Sequence, residues 1–134
     1  MKKYNVAVAG ATGAVGEAMF DILQEREFPI NNIYALASER SEGKKVMLGS
    51  KAITVTDLAN FDFKLADIAL FSAGGAISAQ FAPKAGESSC VVIDNTSHFR
   101  YDGDIPLIVP EVNSCKIKEC NNRFLQDSSK IIFK

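Results

Sequence analysis

Three glycines follow the first hydrophobic segment of the chain at a spacing that suits the binding of a phosphate group. The apolar run at residues 6–9 leads directly into residues 10–16, which read GATGAVG with glycines at Gly10, Gly13 and Gly16. Between a buried strand and a helix N-terminus, such a turn offers free backbone N–H groups and the positive end of the helix dipole to an anion. The alternative is a turn whose glycines serve packing alone. Three glycines exceed what a turn needs, so we interpret the segment as a dinucleotide-binding turn, although its spacing differs from the commoner G-x-G-x-x-G.

A second group of polar residues follows the next hydrophobic segment, residues 33–37. In folds that bind NAD, an acidic side chain at this place, about 20 residues beyond the glycines, holds the ribose 2′-hydroxyl. Here the segment is followed by Ser38, Glu39, Arg40 and Ser41. A guanidinium flanked by two hydroxyls suits a dianionic 2′-phosphate, since arginine supplies paired donors and a full charge. Arg40 could instead be a solvated loop charge. Its position favours NADP over NAD.

The hydrophobic pattern predicts the elements that must position these residues. Val15, Ala18, Met19, Ile22 and Leu23 form an apolar stripe on one face of a first helix. A second helix is predicted over residues 76–85, distorted by Pro83 near its end. Strands are predicted at residues 6–9, 33–37, 46–48, 53–56, 68–71, 90–94 and 107–109, with a hairpin turn at Gly49 and Ser50.

This order, βαβ, a hairpin and then βαβ, predicts an α/β Rossmann-like fold, a mostly parallel sheet with helices on both faces. Ligands of such sheets bind beyond the carboxyl ends of the strands. Residues 10–16, 38–41 and 72–75 all follow strands, so we expect them to converge on one crevice.

Composition and charge restrict the class of protein. At 134 residues, with a formal net charge of −1, the chain is one domain by length and lacks the basic surface that nucleic acid or an anionic membrane would need. No apolar run approaches the roughly 20 residues of a membrane span, and no signal peptide precedes the first strand, so the cytoplasm is the expected location. Three cysteines argue against a disulfide framework. Cys90 reads as a small buried hydrophobe, and Cys115 and Cys120 lack the partners of a zinc site, so no metal is expected.

Five sequence blocks resemble the N-terminal domain of aspartate-semialdehyde dehydrogenases. They occur in family order over residues 3–113 and lie at residues 10–16, 37–44, 70–74, 92–100 and 109–113. The related N-acetyl-glutamyl-phosphate reductases share the fold and the first block. They match residues 38–41 and 95–100 less well.

The resemblance implies a function and a set of site residues. That family uses NADPH to reduce β-aspartyl phosphate to aspartate semialdehyde with release of phosphate, on the route to lysine, threonine, methionine and diaminopimelate. Within the glycine turn, Thr12, Gly13, Ala14 and Val15 would cradle the cofactor diphosphate. Ser38, Arg40 and Ser41 would hold the 2′-phosphate, Ser72, Ala73 and Gly74 would border the ribose and nicotinamide, and Asn95 would lie near the nicotinamide. Arg100 resembles the arginine that grips the substrate phosphate, a salt bridge to Asp102 or Asp104 being the alternative.

The chain departs from the family in its catalytic residues. Reduction of an acyl phosphate needs a thiolate to form a thioester, and the family's thiol lies in an Asn-Cys-Ser/Thr sequence that opens a second domain. None of the three cysteines has those neighbours, and His98 falls at a variable, surface position. We therefore assign no catalytic residue to this chain and expect the second, catalytic and dimerisation domain to be absent.

The predicted organisation is an NADP-binding domain at residues 1–113 followed by a divergent tail at 114–134, in which residues 130–132 suggest a further strand. Without the second domain, we expect no acyl-phosphate binding, no activity, and an exposed edge strand that permits self-association into a homo-oligomer. Two hypotheses stay open. The chain is either the cofactor domain of an aspartate-semialdehyde dehydrogenase or a stand-alone NADP-binding or regulatory module.

Overall fold

Parallel strands form the centre of the structure, and the hydrophobic runs of the sequence explain why. The computed structural model describes residues 2–99, 101, 107–108, 110–113, 115 and 131–133. Its strands are β1 (Tyr4–Ala9), β2 (Ile30–Ala37), β3 (Lys45–Leu48), β4 (Lys51–Asp57), β5 (Ile68–Phe71), β6 (Val91–Asp94), β7 (Leu107–Ile108) and β8 (Ile131–Phe133). The helices are α1 (Ala14–Glu25), α2 (Gly75–Glu87) and α3 (Pro110–Asn113). The strand order is β3-β4-β2-β1-β5-β6-β8-β7, and among the described strands only the β3–β4 pair is antiparallel.

The central strand β1 is buried on both faces, as its unbroken apolar sequence predicts. Ala7 and Ala9 point into one hydrophobic cluster, which also contains Phe81 of α2. Val8 points into the other cluster, together with Phe20 of α1. Because successive side chains of a strand face opposite sides of the sheet, α1 and α2 cover opposite faces. The Rossmann-like fold with helices on both faces is confirmed.

The face that α1 presents to the sheet differs from the apolar stripe in the sequence. Val15 and Ile22 are 46% and 48% exposed, and Ala18 is exposed as well, whereas Gly16 and Phe20 are buried. A Cβ on Gly16 would lie 2.1 Å from the carbonyl oxygen of Gly10, so only glycine permits the helix to approach the turn this closely. This approach sets the rotation of the helix and turns part of the apolar stripe toward solvent.

The remaining elements agree with the predicted order. The hairpin turns at Gly49 and Ser50, helix α2 continues past Pro83 to Glu87, and Cys90 is fully buried just before β6. Strand β8 lies within the predicted tail and pairs with β6 on one side and β7 on the other. The division of the chain at residue 113 stays a prediction. Within the part that the structure describes, no helix has the length and hydrophobicity needed to cross a membrane.

Candidate functional site

A crevice of about 560 Å³ opens at the carboxyl edge of the sheet. Three segments that the sequence singled out meet there: the β1 turn through Gly10, Thr12 and Gly13, the end of β2 through Ser38, and the end of β5 through Ser72 and Ala73. Their convergence follows from the topology, because β2 and β5 flank β1 and run parallel to it. The predicted crevice is therefore confirmed.

The three glycines of the β1 turn differ in whether the fold requires a glycine at their position. Gly10 has φ +89°, and a Cβ there would lie 2.8 Å from the carbonyl carbon of Ser72. Gly16 admits no Cβ because of its approach to Gly10. Gly13 differs from both, since its φ of −84° is ordinary and a Cβ would meet only the Gly10 carbonyl oxygen, at 3.5 Å. Gly10 and Gly16 are thus required by the fold, whereas nothing in the described part of the chain requires a glycine at position 13.

Helix α1 begins at this turn without a side-chain cap. Its N-cap residue is Gly13, which has no side chain that could accept a hydrogen bond from the first turn. The N–H groups of Ala14, Val15 and Gly16 belong to that turn and have no intrahelical acceptor. Such N–H groups, together with the positive end of the helix dipole, can donate to an anion placed beside Gly13. Ala14, Val15 and Gly16 do not line the crevice, which the β1 turn reaches through Gly10, Thr12 and Gly13.

The segment after β5 is held against the β1 turn. The Ser72 backbone N–H and hydroxyl both donate to the carbonyl of Ala9, at 2.9 and 3.3 Å. Two residues later, Gly74 adopts φ +95° and ψ 160°, a conformation essentially restricted to glycine, and serves as the N-cap of α2 without a side-chain cap. Ser72 and Ala73 line the crevice and Gly74 does not.

The residues proposed for a 2′-phosphate divide into two groups. Ser38 lines the crevice together with Glu39. Arg40 and Ser41 complete a short 3-10 turn, Glu39–Ser41, whose Ser41 N–H donates to the Ser38 carbonyl at 2.9 Å, and neither residue lines the crevice. The side chain of Arg40 is exposed and pairs with no acceptor among the described residues.

The end of β6 does not contribute a residue to the crevice wall. The Asn95 side chain is exposed and is not part of the crevice wall, although its backbone N–H donates to the Phe71 carbonyl at 2.9 Å. His98 is exposed, as predicted, with its ring edge-on to Phe99. Arg100, the residue assigned to the substrate phosphate, lies outside the described residues.

Sequence reasoning missed seven residues of the crevice wall: Asp57, Leu58, Ala59, Ile77, Gln80, Phe81 and Ala37. Asp57 is the last residue of β4, and Leu58 and Ala59 follow it. Because β4 pairs in parallel with β2, it ends at the same edge of the sheet. Asp57 is nearly buried, and its carboxylate accepts hydrogen bonds from the Ala59 N–H and the Asn60 amide, which fixes the turn Leu58–Asn60. The available signal was a polar residue at the end of a strand, the same signal that identified Ser38.

Among the described residues, no cysteine lines the crevice. Cys90 is fully buried, and burial, with a smaller contribution from the charge of Asp67, raises the pKa of its thiol to about 12. At neutral pH this cysteine is therefore a thiol rather than a nucleophilic thiolate. Cys115 is exposed, and Cys120 lies outside the described residues.

Comparison with known proteins gives a consistent result. Residues 5–120 match the family model described as "Semialdehyde dehydrogenase, NAD binding domain". Aspartate-semialdehyde dehydrogenase 2 of Vibrio cholerae is 58% identical over 122 residues, an alignment that covers 91% of this chain and 36% of that protein. The chain thus spans little more than a third of the length of this relative.

Solved structures show the same domain. The crystal structure of aspartate semialdehyde dehydrogenase II complexed with ASA from Vibrio cholerae superposes with a TM-score of 0.90 and 54% identity, covering 99% of this chain and 42% of that chain. The aspartate semialdehyde dehydrogenase with NADP from Candida albicans has a TM-score of 0.73 at 24% identity, covering 98% of this chain and 42% of that chain. The second likeness shows the fold alone.

Proposed function

We propose that this chain, which belongs to the family of semialdehyde dehydrogenase NAD-binding domains, binds NADP(H). It would be the cofactor domain of an aspartate-semialdehyde dehydrogenase, and we place that enzyme in the cytoplasm. The reaction of the whole enzyme would be the NADPH-dependent reduction of β-aspartyl phosphate to aspartate semialdehyde with release of phosphate, a step toward lysine, threonine, methionine and diaminopimelate. The names of the relatives support the reaction. The geometry of the crevice supports the cofactor.

This proposal rests mainly on the position and conformation of Gly13. It lines the crevice at the uncapped start of α1, in a backbone conformation open to any residue and with room for a Cβ within the protein itself. A glycine that the fold does not require is explained when a ligand occupies the space in front of it. The diphosphate of a dinucleotide fits there, because it is anionic and approaches the backbone closely.

The other walls suit the remaining parts of the cofactor. Leu58, Ile77 and Phe81 supply an apolar surface in the same crevice as Ser38, which suits an adenine ring and its ribose. When bound, NADPH supplies the hydride for the reduction. The chain's own groups bind and orient the cofactor: the β1 turn holds the diphosphate, and the segment after β5 borders the ribose and nicotinamide.

We assign the 2′-phosphate to Ser38, Arg40 and Ser41. Arg40 stands on the turn that begins at the crevice wall, and its guanidinium is exposed and unpaired among the described residues, so a ligand phosphate can recruit it. Glu39 lines the same part of the crevice and would favour a ribose with a free 2′-hydroxyl. The competition between these two side chains decides between NADP and NAD, and we expect Arg40 to dominate.

Calorimetry on Arg40→Ala tests this assignment. Loss of a charge-assisted hydrogen bond of about 1.5–3 kcal/mol predicts a fall of about 10- to 150-fold in NADPH affinity. The NADH affinity should barely change. Arg26→Ala is the matched control, because Arg26 is exposed at the other end of α1. Equal losses for both cofactors would contradict the assignment to the 2′-phosphate, and binding of neither cofactor by the unaltered chain would contradict the proposed function.

We further expect this chain by itself to give no phosphate-dependent oxidation of aspartate semialdehyde at saturating NADP. The described residues place no reactive thiol at the crevice, since Cys90 is buried with a raised pKa. The assay follows NADPH absorbance with and without phosphate. Turnover that survives repurification and disappears in Cys115→Ser or Cys120→Ser would reveal a substitute nucleophile and refute this expectation.

A further inference from the structure

One fully buried carboxylate lies beside the proposed cofactor site without being part of its wall. Asp94, the last residue of β6, is 0% exposed. Its Oδ1 accepts hydrogen bonds from the Ser78 hydroxyl at 3.0 Å and from the Thr96 backbone N–H at 2.9 Å. Its Oδ2 accepts one from the Thr96 hydroxyl at 3.0 Å. A buried polar group is kept where its hydrogen bonds are satisfied, and these three link separate elements.

The Ser78 bond fastens helix α2. Ser78 is fully buried in the first turn of this helix, and its N–H donates to the carbonyl of Gly74 at 3.0 Å. Ile77 and Phe81, on the same helix, line the crevice. The contact between Ser78 and Asp94 therefore holds the helix that carries the apolar wall.

The Thr96 bonds fasten the turn after β6. Asn95 lies between the two bonded residues, and its own N–H donates to the carbonyl of Phe71 at the end of β5. The turn is thus held both to β5 and to Asp94. These bonds fix the backbone of Asn95 at the carboxyl edge of the sheet, where its side chain is exposed.

The topology assigns these two elements to different halves of a dinucleotide. With the diphosphate at the α1 N-terminus, the adenosine lies toward the ends of β2 and β4 and against the apolar wall. The nicotinamide half must then extend in the opposite direction, over β5 and β6. We propose that Asp94 is a positioning residue that sets both halves of the site, holding the adenosine wall through Ser78 and the nicotinamide side through Thr96. This role rests on the proposed binding of NADP(H).

Two variants and two ligands test the division. NADPH occupies both halves of the site, whereas adenosine 2′,5′-bisphosphate lacks the nicotinamide half. Thr96→Val removes the hydroxyl at constant shape, so NADPH affinity should fall about three- to tenfold while bisphosphate affinity stays unchanged. Ser78→Ala releases the apolar wall, so both ligands should lose affinity by similar factors. Calorimetry on the full 134-residue chain measures all four values.

Matched variants distinguish positioning from a general loss of stability. Ser88→Ala removes another serine hydroxyl at the end of α2, one that donates to the Lys84 carbonyl, and should leave both affinities unchanged. Asp94→Asn keeps an acceptor for Ser78 and the Thr96 N–H, and its amide can donate to the Thr96 hydroxyl. It should therefore bind both ligands within about twofold of the unaltered chain if geometry, rather than charge, is what Asp94 contributes.

Several outcomes would overturn the inference. Unchanged affinities in Thr96→Val and Ser78→Ala, with lowered melting temperatures, would make Asp94 purely structural. Equal loss of both ligands in Thr96→Val, or loss of binding in Asp94→Asn, would refute the division or the geometric role. If Ser78→Ala does not fold, Thr96→Val decides the question, because Thr96 is only partly buried. Binding of neither ligand by the unaltered chain would instead overturn the proposed function, and this inference with it.

Discussion

The two ends of the same parallel sheet treat their polar groups in opposite ways. At the amino end, the Asn5 side-chain oxygen accepts hydrogen bonds from the amides of Asn31 and Asn32, at 3.0 Å each, and the Asn5 N–H donates to Asp67 at 2.8 Å. At the carboxyl end, α1 and α2 both begin without a side-chain cap. The donors at the amino end are satisfied within the protein, whereas the N–H groups that begin α1 and α2 have no side-chain cap, although Asp57 and Asp94 satisfy other donors at the same end. The difference supports the carboxyl edge as the proposed ligand-binding end of the sheet, independently of any sequence motif.

The largest effect should come from filling the space in front of the uncapped helix. Gly13→Val should abolish measurable NADPH binding, because the branched side chain would occupy the place of the diphosphate. Stability should change by no more than about 1 kcal/mol, since the extended backbone at position 13 suits valine. Calorimetry and thermal unfolding measure the two quantities.

Ala18→Val is the control for this substitution. It adds a branched side chain to the exposed face of the same helix and should leave NADPH binding intact. If Gly13→Val folds and binds NADPH normally, the glycine turn does not hold the diphosphate. The uncapped start of α1 would then be no evidence for a ligand site at the carboxyl end.

The neighbouring glycine should behave in the opposite way. A Cβ at Gly16 would lie 2.1 Å from the Gly10 carbonyl oxygen, so Gly16→Ala forces the helix away from the turn. We expect a loss of about 3 kcal/mol in the free energy of unfolding, measured in urea. Gly13→Ala is the matched substitution and should cost less than about 1 kcal/mol. Similar losses at both positions would show that the fold requires both glycines and would weaken the argument from Gly13.

The same contrast explains which features could be predicted from the sequence. The strands, the crevice and the residues Gly10, Ser38 and Ser72 were predictable, because apolar runs and the polar residues after them are local signals. The exposed face of α1 was not. Its rotation is set by the contact between Gly16 and Gly10, and hydrophobic periodicity contains no information about that contact.

Contacts between segments far apart in the sequence explain why other residues of the crevice wall could not be predicted. Leu58 and Ala59 reach the crevice only because β4 pairs in parallel with β2, with Val55 opposite Ala35. The hairpin pattern of β3 and β4 gave no indication of that pairing. The sequence predicts a helix over residues 76–85 but does not indicate which of its residues reach the crevice, and only the placement of α2 after β5 brings Ile77 and Phe81 to the wall.

A third prediction concerns Cys90, which lies at the amino end of β6. Its pKa is raised from 9.0 to about 12, so between these values the unfolded chain loses the proton while the folded protein keeps it. Stability from this group is present below pH 9 and is lost as pH rises toward 12, at about 1.4 kcal/mol per pH unit. Urea unfolding at several alkaline pH values should show a shallower decline for Cys90→Ala.

Cys115→Ala is the control, because Cys115 is exposed, and its decline should match that of the unaltered chain. Identical alkaline slopes for Cys90→Ala and the unaltered chain would show that the Cys90 thiol ionises equally in both states. Its burial would then be weaker than the structure indicates.

The smallest effect is expected at the amino end of the sheet, where the polar side chains bond to one another. Asn5→Ala removes the acceptor shared by Asn31 and Asn32, and the bonds are exposed, so the free energy of unfolding should fall by only about 1 kcal/mol. Asn31→Ala removes one of the two bonds and should cost about half as much. Neither change should alter NADPH affinity, because both residues lie at the edge opposite the crevice. If Asn5→Ala loses more free energy of NADPH binding than free energy of unfolding, the two ends of the sheet are energetically coupled. The hydrogen-bonded polar groups at the amino end would then influence the uncapped helix starts at the carboxyl end.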